Sequence, residues 1–287
     1  SRVISDRIPR YSYLIDVSKL MGAKALLDIK KGGLSSGIDW FESDLNFYKR
    51  ICQSEQVSLI ALMIAVAEFK INFSEVSKII EDPTIDLAGN EDRLRKMLTV
   101  ELDTGKMMEV ALTMESRMSL EFFNSLPEDW SGEEFGFEGG FKEWLAGLTF
   151  KKNMTVNQVA GWYDKNIKEI QAAPVEGFPS FFAQHAARFK EKEMANNSSP
   201  TFKELYKKYG VFFFKNYSGE LLLNIAQPDY MRYAGRINDT NVFGRLVLAQ
   251  LELRLMADRP EDISEALAKL GPEPFNPYTC FLSTLDA

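Results

Sequence analysis

The sequence predicts an all-α protein, either an irregular multi-helix bundle or a short α-solenoid-like stack of about ten helices. Apolar residues recur at intervals of three and four over much of the chain, which is the spacing of one face of a helix. Short turns that contain glycine or serine separate the first of these periodic segments. Val211 to Phe214 is the one run that resembles a strand, and so short a run fits a buried helix segment equally well.

The first two helices are predicted from apolar stripes. Helix one should cover about residues 11–31 and end at the glycine pair 32–33. Helix two should cover about 37–53, and Ser36 with Asp39 three residues later resembles a capping box at its start. The first stripe comprises Leu14, Val17, Leu20, Met21, Ala25 and Ile29, and the second comprises Ile38, Phe41, Leu45, Tyr48 and Cys52. Each stripe is expected to line one face of its helix.

The third helix is predicted over about 55–71, with a periodicity that continues to Ile80 and stops before Pro83. Its stretch from Val57 to Ala67 is apolar on nearly all sides. A membrane crossing needs about 20 apolar residues, so this shorter run is predicted to be a buried core helix.

Periodic segments and capping residues predict the remaining helices. Thr155 should cap a helix over 156–172, and Asp239 to Asn241 should start a strong helix that reaches Met256. Further helices are predicted at 93–102, 105–126, 180–194, 201–209, 219–227 and 229–237.

A segment rich in glycine, acids and aromatics interrupts the helical pattern. It predicts a division into an N-terminal helical subdomain at 1–126, a connecting loop at 127–152 and a C-terminal helical subdomain at 153–287, which together form one compact unit.

The composition is that of an ordinary globular protein. The chain has 287 residues, a net charge of −7, 45% hydrophobic residues and 26% charged residues. An acidic chain lacks the positive field that nucleic-acid binding requires, so no nucleic acid is expected as a partner. Cys52 lies on an apolar helix face and is predicted to be a buried small hydrophobe. The composition does not indicate an oligomeric state.

The residues that usually carry enzyme chemistry are scarce. His185 is the only histidine, which excludes sites with two histidine ligands, and we predict a structural position for it between aromatic residues. A serine triad remains formally open, but no Gly-x-Ser-x-Gly elbow accompanies it. The glycine-rich phosphate loops, the calcium loop and the His-Glu-x-x-His motif are all missing from the sequence. We therefore expect no cofactor and no metal.

Two carboxylates on apolar helix faces remain as catalytic candidates. Glu68 closes an apolar stretch of the third helix, and Glu115 lies among methionines. A carboxylate in such a place must be paired, protonated or functional. Arg117, Lys70 or Arg188 could form a structural ion pair with one of them. The other interpretation is a ligand-binding or catalytic role, as in a hydrolase or lyase with paired carboxylates.

The segment 127–147 most resembles a binding site, because aromatic residues alternate with acids. Such a surface can bind sugars, cations or a basic partner, although its aromatics could equally anchor a long loop onto the helices. The candidate binding residues are Trp130, Glu133, Glu134, Phe135, Phe137, Glu138, Phe141 and Trp144. A second aromatic cluster is predicted to be core, or else the pocket of a small-molecule-binding domain; it comprises Phe178, Phe181, Phe182, Phe189 and Phe212 to Phe214.

Several segments together resemble a group of uncharacterised bacterial envelope proteins, in which one N-terminal membrane helix precedes an all-helical soluble domain. The resemblance covers most of the chain, and its segments begin at Leu20, Asp44, Leu59, Ser218, Arg245 and Asn276. It implies a domain on the periplasmic side of the cell envelope, anchored through a segment that is absent from this chain. A cytoplasmic location is the alternative. These proteins have no established activity that the resemblance could extend to this chain.

The leading functional prediction is a non-enzymatic helical domain that binds a protein or a cell-envelope partner through residues 130–144. The amphipathic helices, the acidic surface and the scarcity of catalytic groups all favour it. A carboxylate hydrolase or lyase and a small-molecule-binding helical domain are the alternatives.

Overall fold

A computed structural model describes residues 12–127, 150–172 and 230–256, together with the single positions 187, 216, 219 and 223. The protein is all-α: the described residues hold seven bounded helices and no strand. The helices are α1 (Ser12–Lys30), α2 (Leu34–Cys52), α3 (Leu59–Glu81), α4 (Glu91–Leu98), α5 (Thr104–Ser125), α6 (Lys152–Ala172) and α7 (Tyr230–Met256).

The chain divides into two compact units. Among the described residues, the larger unit holds 12–111 and 232–256, and the smaller unit holds 112–127, 150–172 and 230–231 with the four single positions. The division at 127–152 that the sequence indicates stays a prediction.

The α1–α2 hairpin forms where the glycine pair predicts a helix end. Gly32 has a positive φ of 84°, a left-handed conformation that glycine adopts without strain, and the Gly33 N–H donates to the Asp28 carbonyl. The two helices then approach closely at Gly37, where a Cβ atom would lie 2.3 Å from Ile29 Cγ1 and 2.8 Å from the Ala25 carbonyl oxygen. This approach requires a residue without a side chain.

The predicted start of the second helix was wrong by about three residues. Helix α2 already begins at Leu34, and no side chain caps it. Ser36 instead donates to the Asp28 carboxylate at 3.2 Å, as does the Trp40 indole N–H at 3.2 Å. Because Asp28 belongs to α1, these bonds join the two helices rather than end one of them.

The core of the larger unit is centred on α2 and α3. All five members of the α2 stripe are buried, which confirms that prediction. The α1 stripe is confirmed only for Ala25 and Ile29, because Val17 and Leu20 are exposed. Helix α3 starts at Leu59, about four residues after the predicted start, and Ser58 caps it by accepting the Ala61 N–H. The helix ends at Glu81, before Pro83, as predicted.

Three arginines fix the remaining helices of the larger unit. On α4, Arg93 binds both oxygens of Glu42 on α2, and Arg95 binds both oxygens of Glu252 on α7. On α7, Arg254 donates to the carbonyls of Ile80, Asp82 and Ile85 at 2.5–2.7 Å. A guanidinium at this position satisfies carbonyls that the end of α3 leaves without partners.

Two predicted caps are interior residues of longer helices. Helix α6 begins at Lys152, so Thr155 lies inside it, is buried, and bonds the Lys151 carbonyl and the Asn216 side chain. Helix α7 is continuous through Asn238 and Asn241, where the sequence indicated a break and a new start. No helix in the described ranges is both long enough and apolar enough to cross a membrane.

Candidate functional site

The structure describes the two catalytic candidates but not the predicted binding loop. All eight candidate binding residues between Trp130 and Trp144 lie outside the described residues, as do His185 and the second aromatic cluster. Glu68 belongs to the larger unit and Glu115 to the smaller one. Each carboxylate therefore has neighbours of its own unit: residues of α1 to α3 for Glu68, and residues of α5 to α7 for Glu115.

Glu68 is part of a buried polar cluster formed by α1, α2 and α3. Ser18 Oγ from α1 lies 2.8 Å from Asp44 Oδ1 and 2.8 Å from the Tyr48 hydroxyl, both on α2. From α3, the Asn72 side-chain amide donates to Asp44 Oδ2 at 2.8 Å and to the Glu68 carbonyl at 2.9 Å. The two carboxyl groups are 4% (Asp44) and 1% (Glu68) exposed.

The two carboxyl groups of this cluster are unequally satisfied. Both oxygens of Asp44 accept hydrogen bonds, whereas Glu68 Oε2 is buried and has no hydrogen-bond partner. Glu68 makes no ion pair with Lys70 or with any other described residue, and Arg188, the third candidate, lies outside the described residues. Burial, and then the negative charge of Asp44, raise the pKa of Glu68 to about 7, although Lys19 and Ser18 oppose the rise.

This environment favours the protonated form of Glu68, and it does not favour a catalytic role for the side chain. A carboxyl group that is almost completely enclosed cannot contact a substrate in this conformation. A neutral carboxylic acid is also far less costly to bury than a carboxylate without a counter-ion. Ser18, Asp44 and Asn72 therefore join the three helices beside a carboxyl group whose charge state depends on pH.

Glu115 lies near a chain of hydroxyl groups in the smaller unit. The Tyr163 hydroxyl is 3.0 Å from Ser119 Oγ and 2.9 Å from the Tyr230 hydroxyl, and Trp162 packs against both tyrosine rings. Burial raises the pKa of Tyr163, and the charge of Glu115 adds to this effect. Glu115 itself is half-buried. Its catalytic role stays a prediction.

A cleft of about 290 Å³ lies in the larger unit, between the end of α2 and the start of α5. Its apolar wall is made by Cys52, Val100, Leu102, Met107 and Val110. Its polar rim consists of Lys49, Gln53, Ser54, Glu55, Glu101, Asp103 and Lys106. The prediction that Cys52 is a buried hydrophobe is confirmed, and burial raises the pKa of its thiol to about 12, which keeps it uncharged and unreactive.

The outer face of α1 carries an apolar surface. Leu20 is 71% exposed, Val17 is 52% exposed and Leu27 is 48% exposed, and Tyr13 extends the row toward the start of the helix. The intervals of four, three and seven residues place these side chains along one line of the helix. We call this surface the α1 outer stripe.

The sequence reasoning found Glu68 but not its surroundings. Asp44 and Ser18 were missed because a single carboxylate or hydroxyl on a helix face has no periodic signal. The sequence pattern placed Val17 and Leu20 in one stripe with the buried Ala25 and Ile29, because the repeat of apolar residues does not show which side of a helix is covered.

Comparisons with protein-family models, with curated proteins and with solved structures give no match. Among the residues whose structure is described, no group of three or more His, Cys, Asp or Glu side chains could hold a metal ion. The local geometry of the polar cluster, the cleft and the α1 outer stripe therefore carries the functional argument.

Proposed function

We propose that this protein is a non-enzymatic helical domain that binds a partner protein, and that the α1 outer stripe is a contact surface. The observation that carries the proposal is the position of Leu20, the most exposed large apolar side chain of the described residues. Leu20 lies between Val17 and Leu27 on the same line of the helix. Contiguous apolar surface of this kind is typical of interaction sites.

The spacing of the stripe fits a second helix. In a heptad, Leu20 and Leu27 take d positions and Val17 takes an a position, which is the combination that two-stranded helix pairs favour. The next a positions are Lys24 and Lys31, both exposed. A polar residue at such a position sets the register of the pair at some loss of stability.

The charges in the stripe indicate an acidic partner helix. Lys24 and Lys31 continue its a positions, although Lys24 also bonds Asp28 one turn along the helix and Asp16 is exposed beside Val17. A second copy of this chain in parallel register would place like charges against each other. An amphipathic helix with flanking glutamates or aspartates complements them. Because one helix contributes the contact, we expect a small and reversible interface.

The wider assignment follows the sequence predictions. We propose that the domain is an irregular bundle or short solenoid-like stack of about ten helices, on the periplasmic side of a bacterial envelope. The resemblance to anchored envelope proteins supports this location. The segment 130–144 remains a second proposed contact region.

Site-specific photocrosslinking in the producing organism tests the contact. A photoreactive amino acid replaces Leu20 in the full chain, and the control replaces Leu246, which is also exposed but lies on α7. We expect a crosslink from position 20, and not from 246, to an acidic amphipathic helix of another protein. Crosslinks to a second copy or to lipid, or no product above the control, would overturn the proposal.

Purified components provide a second test. A helical peptide with leucine at a and d and glutamate at e and g should bind the full chain, and its lysine counterpart should not. Leu20→Glu should abolish this binding, whereas Leu246→Glu should leave it unchanged. Equal binding of the two peptides would show that charge complementarity is not involved and would contradict the acidic partner.

A further inference from the structure

The cleft between the end of α2 and the start of α5 has the shape of a small-molecule site. Its volume of about 290 Å³ is at the lower end of the range for ligand pockets. Cys52, Leu102 and Met107 are buried beneath it, and Val100 and Val110 are half-buried at its sides. An apolar group that enters the cleft would replace water on this surface, which is favourable.

The walls of the cleft are fixed by bonds to α7. The Asn241 side chain accepts the Leu102 N–H at 2.9 Å and donates to the Leu102 carbonyl at 2.8 Å. Beside it, Thr104 donates to Asn238 at 2.9 Å, and Arg245 forms an ion pair with Glu101. A wall held in this way is formed before any ligand arrives, which lowers the entropic cost of binding.

The rim of the cleft presents both signs of charge. Lys49 and Lys106 are exposed and make no ion pair, and Glu55 likewise has no cationic partner among the described residues. Of the two other rim carboxylates, Glu101 forms an ion pair with Arg245, whereas Asp103 accepts the Lys106 backbone N–H through one oxygen and keeps its charge. The charges available to a ligand are therefore two ammonium groups and two carboxylates, those of Glu55 and Asp103.

We propose that this cleft binds a small zwitterion with an apolar side chain, such as a free apolar amino acid. The ligand carboxylate meets Lys49 and Lys106, its ammonium group meets Glu55, and its side chain contacts Leu102 and Met107. A simple apolar anion would face Glu55 without compensation, and a simple apolar cation would face two lysines. A zwitterion satisfies both signs.

Titration calorimetry with the full chain and L-leucine tests the proposal. We expect saturable binding of leucine, with at least tenfold weaker binding of three analogues that each lack one feature. The analogues are 4-methylpentanoate without the ammonium group, 3-methylbutylamine without the carboxylate, and glycine without the apolar side chain. Amide resonances of Leu102 and Val110 should shift with leucine.

Paired variants locate the site. Lys106→Gln and Glu55→Gln should each weaken leucine binding about tenfold, whereas Lys96→Gln and Glu121→Gln, at exposed positions outside the cleft, should not change it. No saturable binding up to about 10 mM leucine would overturn the proposal. Equal binding of either singly charged analogue, or unchanged affinity in both rim variants, would also overturn it.

Discussion

The two faces of α1 differ in which of their side chains are buried. The inner face carries the hydroxyl of Ser18 into contact with Asp44 and Tyr48, and it is buried. The outer face carries Val17 and Leu20, and it is exposed. The inner face therefore buries the Ser18 hydroxyl together with Ala25 and Ile29, while part of the apolar surface of the helix stays exposed.

This difference shows that burial on α1 follows the geometry of its neighbours rather than hydrophobicity alone. At Gly37, α2 lies so close to the Ile29 side chain and the Ala25 carbonyl oxygen of α1 that only glycine fits there, and both α1 residues are buried. The outer face is consequently available for a partner, whereas the inner face holds the three-helix unit together.

The sharpest test places the same side chain on each face. Ala25→Glu should destabilise the protein by about 4 kcal/mol or more, because it buries a charge against Gly37 and Ile29. Leu20→Glu should change the free energy of unfolding by less than about 0.5 kcal/mol, since the position is exposed and glutamate is a good helix former. Urea unfolding measures both values. A similar loss of unfolding free energy in the two variants would show that the outer face is also covered.

The pH dependence of stability tests the inner face. The folded pKa of Glu68, about 7, lies above the ordinary glutamate value of 4.5, so folding favours the protonated form. Its contribution is fully present below about pH 4.5 and is lost as pH rises toward 7, at about 1.4 kcal/mol per unit. The total is on the order of 3 kcal/mol.

The variant Glu68→Gln isolates this contribution. This variant keeps the shape of the side chain but cannot become charged. Between about pH 4.5 and 7, the wild type should lose free energy of unfolding, and the variant should not show this loss. The difference between the two unfolding curves, measured over that range, gives the effect of Glu68 alone. Parallel curves for the two proteins would show that Glu68 keeps an ordinary pKa when folded.

A pair of glycines tests the close approach between α1 and α2. Gly37→Ala should destabilise by about 2–3 kcal/mol, because the new Cβ would meet Ile29 and the Ala25 carbonyl oxygen well inside contact distance. Gly22→Ala is the matched control on α1, where a Cβ meets nothing within 4 Å, and it should stabilise the helix by about 0.5–1 kcal/mol. Thermal unfolding measures both changes. Equal effects would contradict a tight contact at Gly37.

The smallest expected change in the free energy of unfolding comes from a comparison of two adjacent residues, Val17 and Ser18. Ser18→Ala should destabilise by about 1–2 kcal/mol, because Asp44 Oδ1 loses a hydrogen-bond donor inside the core. Val17→Ala, on the outer face, should have almost no effect on the free energy of unfolding. Denaturant midpoints at pH 7 measure both. A larger loss for Val17→Ala would place Val17 in the core.

Helix positions were predictable because each depends on local chemistry. The glycine pair after Lys31, the apolar stripe from Ile38 to Cys52 and the stop before Pro83 act through their own backbone and near neighbours. The caps were less predictable. Asn238 and Asn241 have the residue types of a helix start, but they lie inside α7 and bond Thr104 and Leu102. Their partners are more than 130 residues away, and the local sequence gives no sign of them.

The sequence by itself determined that the protein is helical, that three helices precede Pro83 and that Cys52 is buried, because periodicity and turn residues act over a few positions. Tertiary structure alone decided that Glu68 lies beside Asp44, that the end of α2 and the start of α5 enclose a cleft, and that Leu20 faces outward. Each of these depends on which surfaces of separate helices meet. Close packing between helices determines which surfaces meet, and an apolar repeat of three and four residues does not predict this.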